Sequence, residues 1–207
     1  MADKAPDAGT LNQKVRVLAC TPMDEEKTAW EWTEVRKAWA AAEPVEGTAV
    51  FANSGVGGRK VVFTLRRQRL DPSNAIRWRE RFCLLTSVAP LGPGHLTVTA
   101  ALVEPVECVA VQTNTTVGPG NRPQERETMR ASFPAVLTEK YSRYEREETH
   151  AGQSLTLVLV TVKDILLQAG DLVTVQGGTA AGVYNLQAAH VLDPYKNEYE
   201  IVREGDV

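Results

Sequence analysis

The residues best equipped for chemistry in this chain are arginines. Residues 61–88 read VVFTLRRQRLDPSNAIRWRERFCLLTSV and set Arg67, Arg69, Arg77 and Arg79 on either side of an Asp-Pro turn. A guanidinium group is planar, permanently charged and able to grip a carboxylate or a phosphate with two parallel hydrogen bonds. If residues 76–79 form a strand, Arg77 and Arg79 point away from the face that buries Ile76 and Trp78, and Arg67 and Arg69 extend beyond the preceding strand. The stripe so formed is a solvated sheet face, a polar subunit interface or a surface for nucleic acid. Glu80 in its middle argues against simple DNA binding. Trp30, Trp32, Trp39 and Trp78 are the groups a base-stacking platform would use, and equally the large side chains of a core or an interface.

Other reactive residues form no constellation. His95, His150 and His190 lie far apart, outside any metal-ligand motif and without a neighbour that marks a catalytic base. The loop GVGGRK lacks the spacing of a P-loop, which needs four residues between its first Gly and the closing Gly-Lys-Ser/Thr. Asp24, Glu25 and Glu26, and likewise Glu145, Glu147 and Glu148, stand among other charges and read as solvated faces. Cys20, Cys83 and Cys108 are odd in number and lack ligand spacing, and no apolar stretch follows MADKAPDAGTLNQK. These features predict free thiols in a reducing compartment.

The elements that must position these groups are mostly strands. Val61, Phe63 and Leu65 alternate with polar neighbours, Ile76 and Trp78 share a face, Phe82, Leu84, Thr86 and Val88 share another, and Leu96, Val98, Ala100 and Leu102 repeat the pattern. Glu80 and Arg81 are the expected hairpin turn, and DPSN has turn chemistry. TAWEWTEVRKAWAAAEPVEG is ambiguous, its composition favouring helix while Val35, Lys37 and Trp39 fit an alternating strand. Residues 1–13 read as a mobile arm, 14–111 as a first β-domain, 112–130 as a linker or long loop and 131–207 as a second small β-domain. Landmarks recur in the same order in both halves, VVFTL answering LTLVLV and FCLLTSV answering YNLQAAHVL, which suggests a duplicated architecture. The fold class expected is mainly β, two small barrel- or sandwich-like domains in tandem.

The net charge of −3 excludes a whole-surface polycation on DNA or anionic lipid, and no apolar run approaches the length of a membrane span. The order of WTEVRKAWAAAEPVEG, then the arginine-bearing stretch, then HLTVTAALVEP, in residues 14–105, resembles the head-to-tail connector proteins of tailed phages, called head closure, stopper or head-tail adaptor proteins. Residues 133–204 are more loosely similar to the same module, and the doubled length departs from that family's usual single domain.

The resemblance implies a small β-barrel, strand rather than helix for WTEVRKAWA, and a non-enzymatic structural protein of the virion neck, assembled in the host cytoplasm without a cofactor. Its implied partners are further copies of itself in a ring, a portal or adaptor ring, a tail-terminator or tail tube protein, and packaged DNA held without sequence preference; no membrane is implied. Residues 52–60 would form the channel loop with Arg59 and Lys60 nearest phosphate, and Arg67, Arg69, Arg77 and Arg79 would meet acidic surfaces of a neighbouring subunit or ring. The alternatives are a tail-completion or tail-terminator protein, an OB-like nucleic-acid-binding protein, and an enzyme whose residues converge only in three dimensions.

Overall fold

Alternating side chains build two closed six-stranded barrels, and the computed structural model describes residues 8–117, 123–140 and 156–204 of the chain. A short 3₁₀ turn at Ala8–Thr10 leads to Leu11, which is buried, so the expected arm is anchored at its inner end; residues 1–7 lie outside the described residues. The first barrel comprises β1 (Gln13–Pro22), β2 (Trp30–Ala49), β3 (Gly58–Arg66), β4 (Ala75–Trp78), β5 (Arg81–Leu91) and β6 (His95–Leu102). The second comprises β7 (Pro105–Val117), β8 (Pro123–Lys140), β9 (Thr156–Val162), β10 (Leu172–Gln176), β11 (Gly182–His190) and β12 (Lys196–Arg203).

Neighbouring strands run β1-β2-β3-β6-β5-β4 in the first barrel and β7-β8-β9-β12-β11-β10 in the second, so one order is used twice. Closure comes from antiparallel pairing of β1 with β4, through Val15↔Trp78 and Val17↔Ile76, and of β7 with β10, through Cys108↔Val175 and Ala110↔Val173. The expected linker is therefore strand at 112–117 and 123–130, and the chain divides at Pro105/Val106, with Pro22–Glu31 counted in the second unit. Polar residues expected to form a linker belong here to two long strands, and Gly118 and Gly120 lie outside the described residues.

The first core is filled by Val15, Ala40, Val61, Phe63, Leu65, Ile76, Trp78, Cys83, Leu85, Leu96, Val98 and Ala100. Strand β5 departs from simple alternation: a register shift between Leu85 and Ser87 changes its phase, so Cys83, Leu85 and Val88 face the core in place of the expected Phe82, Leu84, Thr86 and Val88 set. Register makes the two cores comparable position by position. Leu65↔Leu96 and Phe63↔Val98 in the first barrel correspond to Thr161↔Asn197 and Leu159↔Tyr199 in the second. The second core thus carries a polar end, whose Asn197 Nδ2 donates to the Lys163 and Ile165 carbonyls at 2.9 Å while Tyr199 OH donates to Ile165 O at 2.7 Å. These bonds fasten the β9–β10 connection to the barrel. WEWTEVRKAWA is strand throughout, because pairing of Ala40 with Leu65 and Ala42 with Phe63 outweighs the helical propensity of its alanines.

Gly57 and Gly58, at the entry to β3, serve proximity more than mobility. A Cβ on Gly57 would stand 2.3 Å from the Ala49 carbonyl oxygen and one on Gly58 2.7 Å from that of Leu102, while Phe51 and Ala52 are buried. If residues 52–57 were only a floppy loop, Gly57→Ala would stabilise the protein by lowering unfolded-state entropy. The expected outcome is the reverse, a loss of about 1–3 kcal/mol in urea unfolding, because the backbone carbonyl must give way.

Candidate functional site

Five arginines of the first barrel line two grooves. One, of about 500 Å³, is lined by Leu11, Ala38, Trp39, Arg66, Arg67 and Gln68. Its shape follows from β2: with Ala40 paired to Leu65 and Ala38 packed on the core, the alternation turns Trp39 outward beside the end of β3. Trp39 is 59% exposed, whereas Trp30 and Trp78 are buried and Trp32 packs edge-on against Phe82 at 5.2 Å. Arg66 and Arg67 are exposed and have no ion-pair partner among the described residues, and no carboxylate lines the groove. An indole, two guanidinium groups and an apolar floor can hold an apolar anchor next to a negative charge.

The second groove, of about 610 Å³, takes Arg59, Arg77 and Arg81 from three strands together with Phe82, and Glu80 and Glu104 also line it. Glu80 is already engaged by Arg16, which leaves a mixed-charge surface.

The structure places the sequence-derived candidates in different settings. Arg59 and Lys60 lie in β3 and not in the loop: Arg59 is paired with both Thr48 and Leu102. The β3 strand ends at Arg66, so Arg67 lies just past it and Arg69 in the turn; only Arg67 reaches the Trp39 groove. Arg77 is on β4 and half-buried. Arg79 is not on a strand with it, since Arg79 and Glu80 form the hairpin turn, with φ of 49° and 62°, in place of the expected Glu80-Arg81. This left-handed turn carries no glycine. It is held by the Arg79 guanidinium 4.9 Å over the Trp78 ring, by Arg79 Nη2 donating to Gln13 Oε1 at 3.1 Å, and by the Arg16–Glu80 ion pair. Arg79 and Trp78 are therefore tied up in local structure. Reading residues 61–88 alone missed Trp39 and Arg66 as a pair, because the strand that brings them together lies outside that stretch; the Val35, Lys37, Trp39 alternation was the available signal.

In the second barrel the notable charges sit on β12. Lys196 and Glu198 are buried; burial pushes the Lys196 ammonium down to about 8, with Asp193 and Glu198 acting in the other direction. Glu200 Oε1 accepts from Lys140 Nζ at 2.6 Å and lies 2.7 Å from His190 Nε2. The Lys140 contact chiefly, then His190, holds the Glu200 carboxyl below its ordinary range. His95 opens β6 opposite Arg66, and His150 lies outside the described residues. Burial raises the Cys83 and Cys108 thiols to about 12, which withholds the nucleophilic thiolate. Among the described residues no three His, Cys, Asp or Glu side chains converge as metal ligands, and no helix is long and apolar enough to cross a membrane.

No family model matches the chain, and no curated protein and no solved structure matches it.

Because the folded-state pKa of Glu200 is depressed, its contribution is present above the ordinary carboxylate value and is lost as pH falls through the lowered one. Glu200→Gln is expected to lower stability by on the order of 1 kcal/mol at pH 7. Chemical unfolding at pH 7 and at pH 3 checks this, and the difference between wild type and variant should shrink at the lower pH.

Proposed function

We propose that this chain is a structural protein of the tailed-phage neck, which assembles as a ring of identical subunits between the filled capsid and the tail, helps retain DNA and presents the surface that receives the tail. The observation that carries the reading is the resemblance of residues 14–105 to head closure and head-tail adaptor proteins, and the support beside it is a closed barrel with five arginines lining two surface grooves. Ring assembly makes sense of such a surface, since each local group of arginines is repeated once per subunit and becomes a belt although the chain as a whole is slightly acidic. Cores filled by side chains suit a building block: Phe63, Leu65, Ile76 and Trp78 pack the first interior, and Leu159, Leu186, Tyr199 and Ile201 are buried in the second barrel. The partners proposed are further copies of the chain, a portal or adaptor ring, a tail-terminator or tail tube protein, and the DNA in the channel.

A tail-completion or tail-terminator role uses the same ring surfaces and is the nearest alternative. The OB-like reading loses part of its motive, because each barrel has six strands where an OB fold has five, and Trp78 is a core residue. Negative-stain imaging of the full chain, alone and with DNA-filled capsids, tests the proposal. Rings, or density added at the portal vertex of filled capsids, are expected. A chain that neither forms rings nor associates with such capsids contradicts it.

A further inference from the structure

The net charge of −3 conceals a division. The first unit, residues 1–21 and 32–105, has 13 Lys and Arg against 8 Asp and Glu, a net of +5; the second, residues 22–31 and 106–207, has 10 against 18, a net of −8. One half of every copy therefore attracts the other half of every other copy, and opposite halves meeting in sequence generate a head-to-tail contact.

The second barrel also presents an apolar knob. At the β11–β12 connection Leu192 is 98% exposed, flanked by exposed Val191 and Tyr195. The knob is rigidly mounted. Asp193 Oδ1 accepts from the backbone N–H of Tyr195 and Lys196 at 2.7 and 2.9 Å, and Lys163 Nζ donates to the Val191 and Asp193 carbonyls, the latter at 2.8 Å. Lys163 N also donates to Tyr195 O at 3.2 Å, which brings exposed Leu166 and Asp164 alongside; Asp164 has no ion-pair partner among the described residues. Exposing four large apolar side chains on two hydrogen-bonded connections costs hydration free energy, and such patches mark contact surfaces. The first barrel carries the complement, the Trp39 groove with its apolar floor of Leu11 and Ala38 and its unpaired Arg66 and Arg67. Trp and Arg are the side chains that most often dominate protein interfaces.

We propose that the Leu192 knob of one copy seats in the Trp39–Arg66–Arg67 groove of the next copy, so that the chain joins head to tail through unlike halves. The occupant of the groove is a second copy of this chain. The closure of that series into a ring rests on the neck reading above; the contact itself rests on the groove, the knob and the charge division.

The experiment uses the full chain in sedimentation velocity at low and moderate salt, with a knob variant, Leu192→Asp, and a groove variant, Arg66→Glu with Arg67→Glu. All the substituted side chains are exposed, and circular dichroism checks that both variants keep the wild-type fold. Wild type is expected to self-associate with rising concentration and to dissociate as salt rises. Each variant alone should associate roughly tenfold or more weakly. An equimolar mixture should recover a species of two chains and no larger, because each pair retains one intact knob and one intact groove. A mixture that stays monomeric, or wild type that never associates, overturns the contact. If both variants still form rings, this contact is wrong while the neck reading stands; if wild type forms open filaments through it, the contact stands and the closed neck ring fails. Fluorescence titration of Trp39 with single-stranded DNA is the further arm: quenching at low salt that is lost in the groove variant would make the groove a nucleic-acid platform and overturn the proposal.

Discussion

Everything in this fold depends on a short strand closing each sheet. In the first barrel only four residues of β4, Ala75–Trp78, bridge β1 to β5, and without them β1 and β5 would present unpaired backbone to water and to other chains. Closure is secured from both sides of β4. Ile76 and Trp78 fill the interior, with the Trp78 ring edge-on to Phe63 at 5.9 Å, and the Arg79-Glu80 turn is held from outside by Arg16 and Gln13. Arginines that look like a binding stripe are thus partly committed to making the barrel close.

The repeated strand order shows how one plan tolerates different chemistry. A core of leucine, valine and phenylalanine in the first barrel becomes, at corresponding register positions, a core ending in Thr161, Asn197 and Tyr199 in the second. Buried polar groups are stable only when bonded, and Asn197 Nδ2 and Tyr199 OH meet that demand by taking up the backbone of residues 163–167, while the buried Asn197 Oδ1 has no hydrogen-bond partner among the described residues. The result is an ordered connection beside the exposed β11–β12 tip. In the first barrel the equivalent step is a bond from Arg67 N to Gly94 O, matching Lys163 N to Tyr195 O in the second, and there the surface falls away into the Trp39 groove.

Much of this was written in the sequence, and the failures have physical causes. Period-two alternation located β3 and β6, which have one wet and one dry face, while β9 and β12 were found as short apolar or mixed runs between turn signals and are buried on both faces. It failed in β5, where an extra residue changes the phase, and in the turn, where Arg79 and Glu80 adopt a conformation usually left to glycine and asparagine. Residues 112–117 and 123–130 looked like part of a linker because a long strand can carry polar sequence when a neighbouring strand supplies the order. Gly57 and Gly58 looked mobile, yet they admit a neighbouring carbonyl. The charge division of +5 and −8 was invisible until the boundary at Pro105 was known, since no local stretch displays it. The Trp39 groove needed β2 and β3 laid side by side.

Closure of two barrels of one strand order is the claim on which the rest stands, and nuclear magnetic resonance tests it most directly. Cross-strand contacts between Val17 and Ile76 in the first barrel and between Val173 and Ala110 in the second should appear together with β1, β4, β7 and β10 amides that exchange with solvent as slowly as those of β6 and β12. Absence of those contacts, with fast exchange along β1 and β4 or along β7 and β10, would mean open sheets with free edges and would contradict it.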